Sequence, residues 1–300
     1  MFLFRRSRKT SQGSEDSLDQ SSTPVEAPAA PMADRRDRDG GPSFRPRDLH
    51  EANRLDFQHF LLRQILKGHY VAPVSFPRSI LDVGCGTGRW IFDVGQEFPL
   101  AQMVGFDIDI PALTERLDAR YHFIQGDLLQ GLPFSEKSFE FVHQRLLLNA
   151  LPAASWPPLI KRLIQITLPG GWLELVDATH LITPPGSAGQ QVQQWSEQIY
   201  RQNKIDPLLA QHLGSMLKAS PHLEDVHFVY IDAPVGDWGG RLGSLMAKNY
   251  ASSYEYVKPL YQHYLRIDSR ILNQTFDDMQ REWEMFQCTS RIYVAYGRRS

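Results

Sequence analysis

The chain has 300 residues, a formal net charge of -2, 42% apolar and 22% charged residues. These values suit a globular protein of one or two domains. The near-neutral balance supplies no overall basic footprint for nucleic acid. The two cysteines, Cys85 and Cys288, exclude a disulfide-built scaffold and a cysteine-rich zinc module. No stretch approaches the roughly 20 apolar residues of a membrane span. The segment Met1–Lys9 places its apolar residues before its charges, the reverse of a secretory signal. The expected location is cytoplasmic, without stable membrane association.

Residues 1–47 are rich in Ser, Pro, Ala, Asp and Arg and hold too little apolar surface to offset ordering entropy, so they are expected to form a disordered tail. From 48 the chain becomes periodic and is read as one domain to 300. Leu49, Ala52, Leu55, Phe60, Leu62, Ile65 and Leu66 follow a helical stripe, with Gly68 at the expected cap. Residues 79–83 read as a buried strand, 87–98 as a helix and 102–106 as a second strand. Pro111 opens a short helix. Strands are expected at 121–125 and 139–143, then a helix at 157–168 ended by Pro169-Gly170-Gly171, and a strand at 172–176. Residues 183–222 read as mostly helical, 226–231 as a strand, 241–265 and 269–285 as helices, and 290–296 as a last strand. Strands alternating with helices predict an α/β fold with a doubly wound, seven-stranded, mostly parallel sheet. The helical stretches at about 183–222 and 241–285 would form a lid over its carboxyl edge.

The most informative segment is Ile80-Leu-Asp-Val-Gly-Cys-Gly-Thr-Gly88, a buried strand entering a glycine-rich turn and then a helix. Such a turn at the carboxyl end of the first strand lies where open α/β sheets bind ligands. Its Gly84-x-Gly86-x-Gly88 spacing departs from the G-x-G-x-x-G dinucleotide fingerprint, which argues against a nicotinamide oxidoreductase. Asp107 stands nineteen residues beyond Gly88, at the end of the second strand, where a carboxylate accepts ribose hydroxyls. Asp109 ranks second for that role. Gly126-Asp127 ends the third strand, within reach of an adenine amino group, and Leu168-Pro-Gly-Gly-Trp-Leu173 leads into the fifth.

These four elements in this order resemble the class I S-adenosylmethionine-dependent methyltransferases, with their Rossmann-like sheet, over about 48–176. The resemblance implies S-adenosylmethionine as cofactor. It puts Gly84, Cys85 and Gly86 near the methionine part, Asp107 at the ribose and Asp127 at the adenine, with Gly88, Ile108, Gly126 and Leu128 as further cofactor-binding residues. It also implies that Asp82 fixes the turn through hydrogen bonds and that His143 and Gln144 face the sulfonium and the substrate. A narrower resemblance, to the methyltransferases related to fungal regulators of secondary metabolism, rests on several segments. They are Asn53-Arg-Leu-Asp-Phe-Gln-His59, Glu97-Phe-Pro99, Phe141-Val-His-Gln-Arg145 and Pro169-Gly-Gly-Trp-Leu-Glu174. Within that group the Asn53–His59 helix covers the cofactor, and Arg54 would pair with its carboxylate. Glu140 departs from the aspartate usual in the group and leaves the cofactor reading intact.

The function implied is methyl transfer to an oxygen, nitrogen or carbon of a small molecule, in secondary metabolism. A non-catalytic regulator that keeps the fold and a protein methyltransferase remain alternatives. His143 and His180 are candidate general bases, each beside a plain structural role. Cys85 reads as a backbone contact rather than a nucleophile. His212, His222 and His227 lack metal-ligand spacing, so no metal is expected. Trp195, Trp238, Tyr200, Tyr250, Tyr254 and Phe276 would wall the pocket or fill the lid. The partner is expected to be a small-molecule substrate and not nucleic acid, and the lid leaves room for a homodimer contact.

Overall fold

In a computed structural model, residues 49–110 and 118–300 are described. The expected tail at 1–47 and the helix expected from Pro111 lie outside them. The elements are α1 (Leu49–Leu66), β1 (Ser79–Val83), α2 (Arg89–Glu97), β2 (Gln102–Asp107), β3 (Tyr121–Gln125), β4 (Phe139–Arg145), α3 (Trp156–Ile166), β5 (Thr167–Thr183), α4 (Ser187–Gln202), α5 (Leu213–Lys218), β6 (Leu223–Pro234), α6 (Gly240–Leu265), α7 (Ser269–Met285) and β7 (Thr289–Arg299).

The strands form one seven-stranded sheet in the order β3-β2-β1-β4-β5-β7-β6. β3, β2, β1, β4 and β5 run parallel, and β7 is antiparallel to both neighbours. This is the doubly wound sheet that the strand–helix alternation predicts. Its central strands are apolar on both faces because helices cover both. Leu81, Val142, Leu173 and Leu175 pack with Leu159 and Leu163 of α3 and with Leu213 and Leu217 of α5. Ile80 and Phe141 point the other way, into Trp90, Ile91 and Val94 of α2. A third cluster joins α1, α4, α6 and α7 over β5 and β7.

Three local expectations shift. α1 ends with Lys67, not Gly68, in the left-handed conformation (φ 57°), and the Gly68 N–H returns to the Arg63 carbonyl at 3.1 Å. Pro169-Gly170-Gly171 does not separate helix from strand but lies inside β5. The reason is steric: a Cβ at Gly171 would stand 2.6 Å from the Glu140 carbonyl oxygen, so glycine permits close approach to β4. β6 and β7 extend past their expected ends because they pair with each other from Leu223↔Arg299 to Pro234↔Thr289.

Candidate functional site

Strand register sets the site. Val83, the last residue of β1, is level with Phe106 of β2 and Gln144 of β4. The next residues, Gly84, Asp107 and Arg145, therefore emerge together above the sheet. Asp107 is level with Gln125, so Gly126 follows on β3, and Arg145 is level with Val176, so Asp177 follows on β5. A cavity of about 350 Å³ opens on this edge. Its floor is Gly84–Thr87, Asp107, Ile108, Gly126–Leu128, Arg145 and Asp177, roofed by α1 on one side and by α4 and α6 on the other.

The glycine turn needs its glycines. Gly84, Gly86 and Gly88 have φ of 73°, 52° and 74°, a region that other residues enter at a cost. The N–H groups of Gly84 and Cys85 both donate to the Phe106 carbonyl. Gly86 faces open space, where a Cβ would meet only Leu55 Cδ1, at 3.8 Å. Asp107 Oδ2 accepts the Gly86 N–H at 2.8 Å and Oδ1 the Asp109 N–H at 3.0 Å. Burial raises the Asp107 carboxyl above the ordinary carboxylate range, and these two N–H groups partly restore its acidity. Asp109 lends its backbone to Asp107 and does not line the cavity. Asp127 lines it while accepting the Leu129 N–H at 2.9 Å. Open backbone at Gly86 beside a carboxylate with unused lone pairs fits a ligand that brings an extended chain and vicinal hydroxyls.

Several expected contacts are corrected. Asp82 does not fix the turn: its Oδ1 lies 2.8 Å from Nδ1 of His143, and Asp107 holds Gly86 in its place. His143 and Gln144 are fully buried and do not line the cavity. They stand one level below the edge, inside a central strand covered on both faces. His143 stacks on Trp90 with ring centroids 3.9 Å apart, and its Nε2 is 4.0 Å from Glu174 Oε1. That enclosure removes it as a base for a ligand in the cavity. Gly88 begins α2, and a Cβ there would press on Phe123, so it is packing rather than lining. Cys85 lines the cavity, and burial pushes its thiol pKa far up, away from nucleophile chemistry.

Arg54 reaches the cavity with three of its five N–H donors engaged. Its Nε and one terminal nitrogen bind the Glu51 carboxylate at 2.7 and 2.6 Å, and the other donates to Ser253 Oγ at 3.1 Å. His180 also lines the cavity, but both ring nitrogens are enclosed without hydrogen-bond partners, and burial lowers its pKa to about 4. Tyr200, Tyr250 and Tyr254 all face the cavity, whereas Trp195, Trp238 and Phe276 do not.

Two ionisable residues at the edge were not singled out from sequence. Arg145 is partly buried and makes no side-chain hydrogen bond to a described residue, with Asp82, Asp93 and Asp56 nearby to stabilise its charge against burial. Asp177 accepts N–H groups from Leu147, Leu148 and Ala178. Burial outweighs those bonds and raises its pKa from 3.8 to about 7. A raised carboxyl pKa stabilises the fold below its unfolded value, and that stability is lost as pH rises through the folded one. The stability of the protein relative to Asp177→Asn should therefore fall by about 2–4 kcal/mol between pH about 4 and about 7. Urea midpoints across that range test it, and parallel profiles would contradict the buried carboxyl.

The profile of the methyltransferase domain family matches residues 80–171. Methyltransferase str2 of Strobilurus tenacellus is 30% identical over 189 residues, which cover 61% of this chain and 67% of the relative. The secondary metabolism regulator laeA of Aspergillus fumigatus is 33% identical over 137 residues, 44% of this chain and 35% of the regulator. Among solved structures, Haemonchus contortus phosphoethanolamine N-methyltransferase 2 with S-adenosyl-L-methionine aligns with TM-score 0.49 and 15% identity, over 83% of this chain and 56% of that one. The chain belongs to the class I S-adenosylmethionine-dependent methyltransferases, the class that the sheet and its glycine-edged cavity define. S-adenosylmethionine is accordingly its cofactor. Among the described residues no helix is long and apolar enough to cross a membrane.

Proposed function

We propose that the protein transfers a methyl group from S-adenosylmethionine to a small-molecule acceptor within this cavity. The observation that carries the reading is the common level of Gly84, Asp107 and Arg145 at the sheet edge, under a helical roof. In this reading the open backbone at Gly86 admits the methionine chain, Asp107 receives the ribose hydroxyls, and Ile108 and Gly126–Leu128 border the adenine. Arg145, rather than Arg54, pairs with the carboxylate. The cofactor brings a methyl group already activated by its positive sulfur. The protein's tasks are to align the acceptor with it and to exclude water. The chain from 48 onward acts as one methyltransferase domain, and its insertions at about 183–222 and 241–285 supply the acceptor end.

The size of the cavity supports a small molecule as acceptor, and similarity to the secondary metabolism regulator laeA supports a link to secondary metabolism. Similarity to laeA supports a second reading, a regulator that keeps the cofactor site. Asp107→Ala should weaken S-adenosylmethionine binding about 30-fold or more, because the ribose hydroxyls lose a charged acceptor and the Gly86 N–H loses its anchor. Calorimetric titration of both proteins measures this, followed by mass-spectrometric search for methylated products from a metabolite extract. Unchanged affinity in the variant sinks the ribose assignment. Binding without turnover favours the regulator.

A further inference from the structure

The acceptor end of the cavity has a chemical character of its own. Its walls on α4 and α6 carry Ser196, Ile199, Tyr200, Asn249 and a run of tyrosines, and neither helix contributes a lysine, arginine, aspartate or glutamate to the lining. The charged lining residues stand on α1 and along the sheet edge, and Arg54, which touches Ser253 of α6, is paired with Glu51. A charged ligand among these tyrosines would lose its hydration and meet no charged side chain of α4 or α6, while the guanidinium nearest to α6, Arg54, is neutralised by Glu51. The tyrosine rings are fixed from behind. Tyr250 bonds Ser290 Oγ, and the Tyr261 hydroxyl lies 2.7 Å from Ser196 Oγ. Ser196 spends its own proton on the Val192 carbonyl, so Tyr261 is the donor in that pair. Tyr254 packs against Phe276 at 5.2 Å and Trp283 at 6.4 Å, yet its hydroxyl makes no hydrogen bond to a described residue. It is the hydroxyl in this wall with an unspent proton on a ring that packing holds still. Burial and the neighbouring phenols Tyr261, Tyr200 and Tyr250 keep it protonated, hence a donor.

Resting on the methyl-transfer reading, we propose that this end binds an uncharged aromatic hydroxyl compound. Its ring lies among the tyrosines, and Tyr254 donates a hydrogen bond to its hydroxyl oxygen. Flat aromatic walls favour a flat ligand, through offset and edge-on ring contacts. Absence of charge on the wall selects against anions and ammonium ions. Tyr254 fixes which oxygen stands toward the cofactor end.

The test uses the full chain, with S-adenosylhomocysteine titrated first and then held at saturation. Naphthol, naphthalene, naphthyl phosphate and naphthylmethylammonium are titrated in turn into the protein and into Tyr254→Phe. Naphthol should bind, and about 3- to 10-fold more weakly in the variant, the worth of one neutral hydrogen bond. Naphthalene should not distinguish the two proteins. Both ionic probes should bind at least about tenfold more weakly than naphthol. An ionic probe that matches naphthol, or a variant that binds naphthol unchanged, overturns the proposal. If S-adenosylhomocysteine binds and naphthol does not, the acceptor class fails alone. If S-adenosylhomocysteine itself does not bind, the methyl-transfer reading fails and the acceptor class with it.

Discussion

Replacing Arg145 with methionine is expected to weaken S-adenosylhomocysteine about 30-fold or more and to leave methylthioadenosine within about twofold, since truncating one partner of a buried charged pair costs about 2 kcal/mol or more. Methylthioadenosine carries the same nucleoside without the amino-acid carboxylate, so the ratio of the two affinities isolates the group that Arg145 would hold. The guanidinium emerges at the level of the glycine turn and keeps its donors free of other described residues. Arg54, the residue that the family resemblance nominates, gives its fork to Glu51 in a bidentate pair inside one helix. A guanidinium whose charge is already neutralised by one carboxylate, and whose side chain is held by Ser253, gains less from a second carboxylate than an unpaired one does. Calorimetry of both ligands against both proteins gives the answer. Equal losses for the two would mean that Arg145 supports the fold near Asp82 and Asp93. No loss for either would return the role to Arg54.

The contrast between these arginines shows what the sequence made legible. The glycine turn could be read because positive φ leaves a mark in residue type. Asp107 could be read because one strand–helix–strand unit fixes the distance from the turn to the next strand end. The third strand end, at Gly126 and Asp127, followed the same arithmetic. On β4 the reading stopped two residues short. Strand periodicity marks a strand over 139–143, but not that it runs on to Arg145 or where pairing with β1 ceases. That limit, Val83↔Gln144, decides that Arg145 clears β1, while still level with Val176 of β5, and that His143 stays inside. The Arg54–Glu51 pair was hidden for a different reason. At this three-residue spacing a helix permits a pair, yet only the packing of α6, through Ser253, shows that the side chain is held. The tyrosine wall was visible as composition. Which hydroxyl remains unspent depends on Ser196 and Ser290, from elements far apart in the chain.

The largest loss of stability is expected outside the cavity, at Glu174. Its side chain is fully buried in β5, and Oε2 accepts the N–H groups of Val71 and Ala72 at 2.8 and 2.6 Å. Those donors belong to the segment between α1 and β1, so one carboxylate ties the helix that roofs the cavity to the middle of the sheet. Its other oxygen faces His143, which Asp82 holds from the far side. Burial raises the Glu174 carboxyl, opposed by His143 and by the two N–H groups. Glu174→Ala strands two backbone donors in a dry interior at about 1–3 kcal/mol each and leaves His143 beside a void, so a loss of about 3–5 kcal/mol is expected. Glu174→Gln keeps a carbonyl oxygen for the same donors and should lose about 1–2 kcal/mol. Urea denaturation measures both. Because Glu174 does not line the cavity, S-adenosylhomocysteine affinity per folded molecule should hold in the glutamine variant. A glutamine variant that stays stable but no longer binds would move the Asp82–His143–Glu174 row from scaffold to site. An alanine variant within about 1 kcal/mol of the parent would mean that Val71 and Ala72 find other acceptors, and that the roof does not depend on this carboxylate.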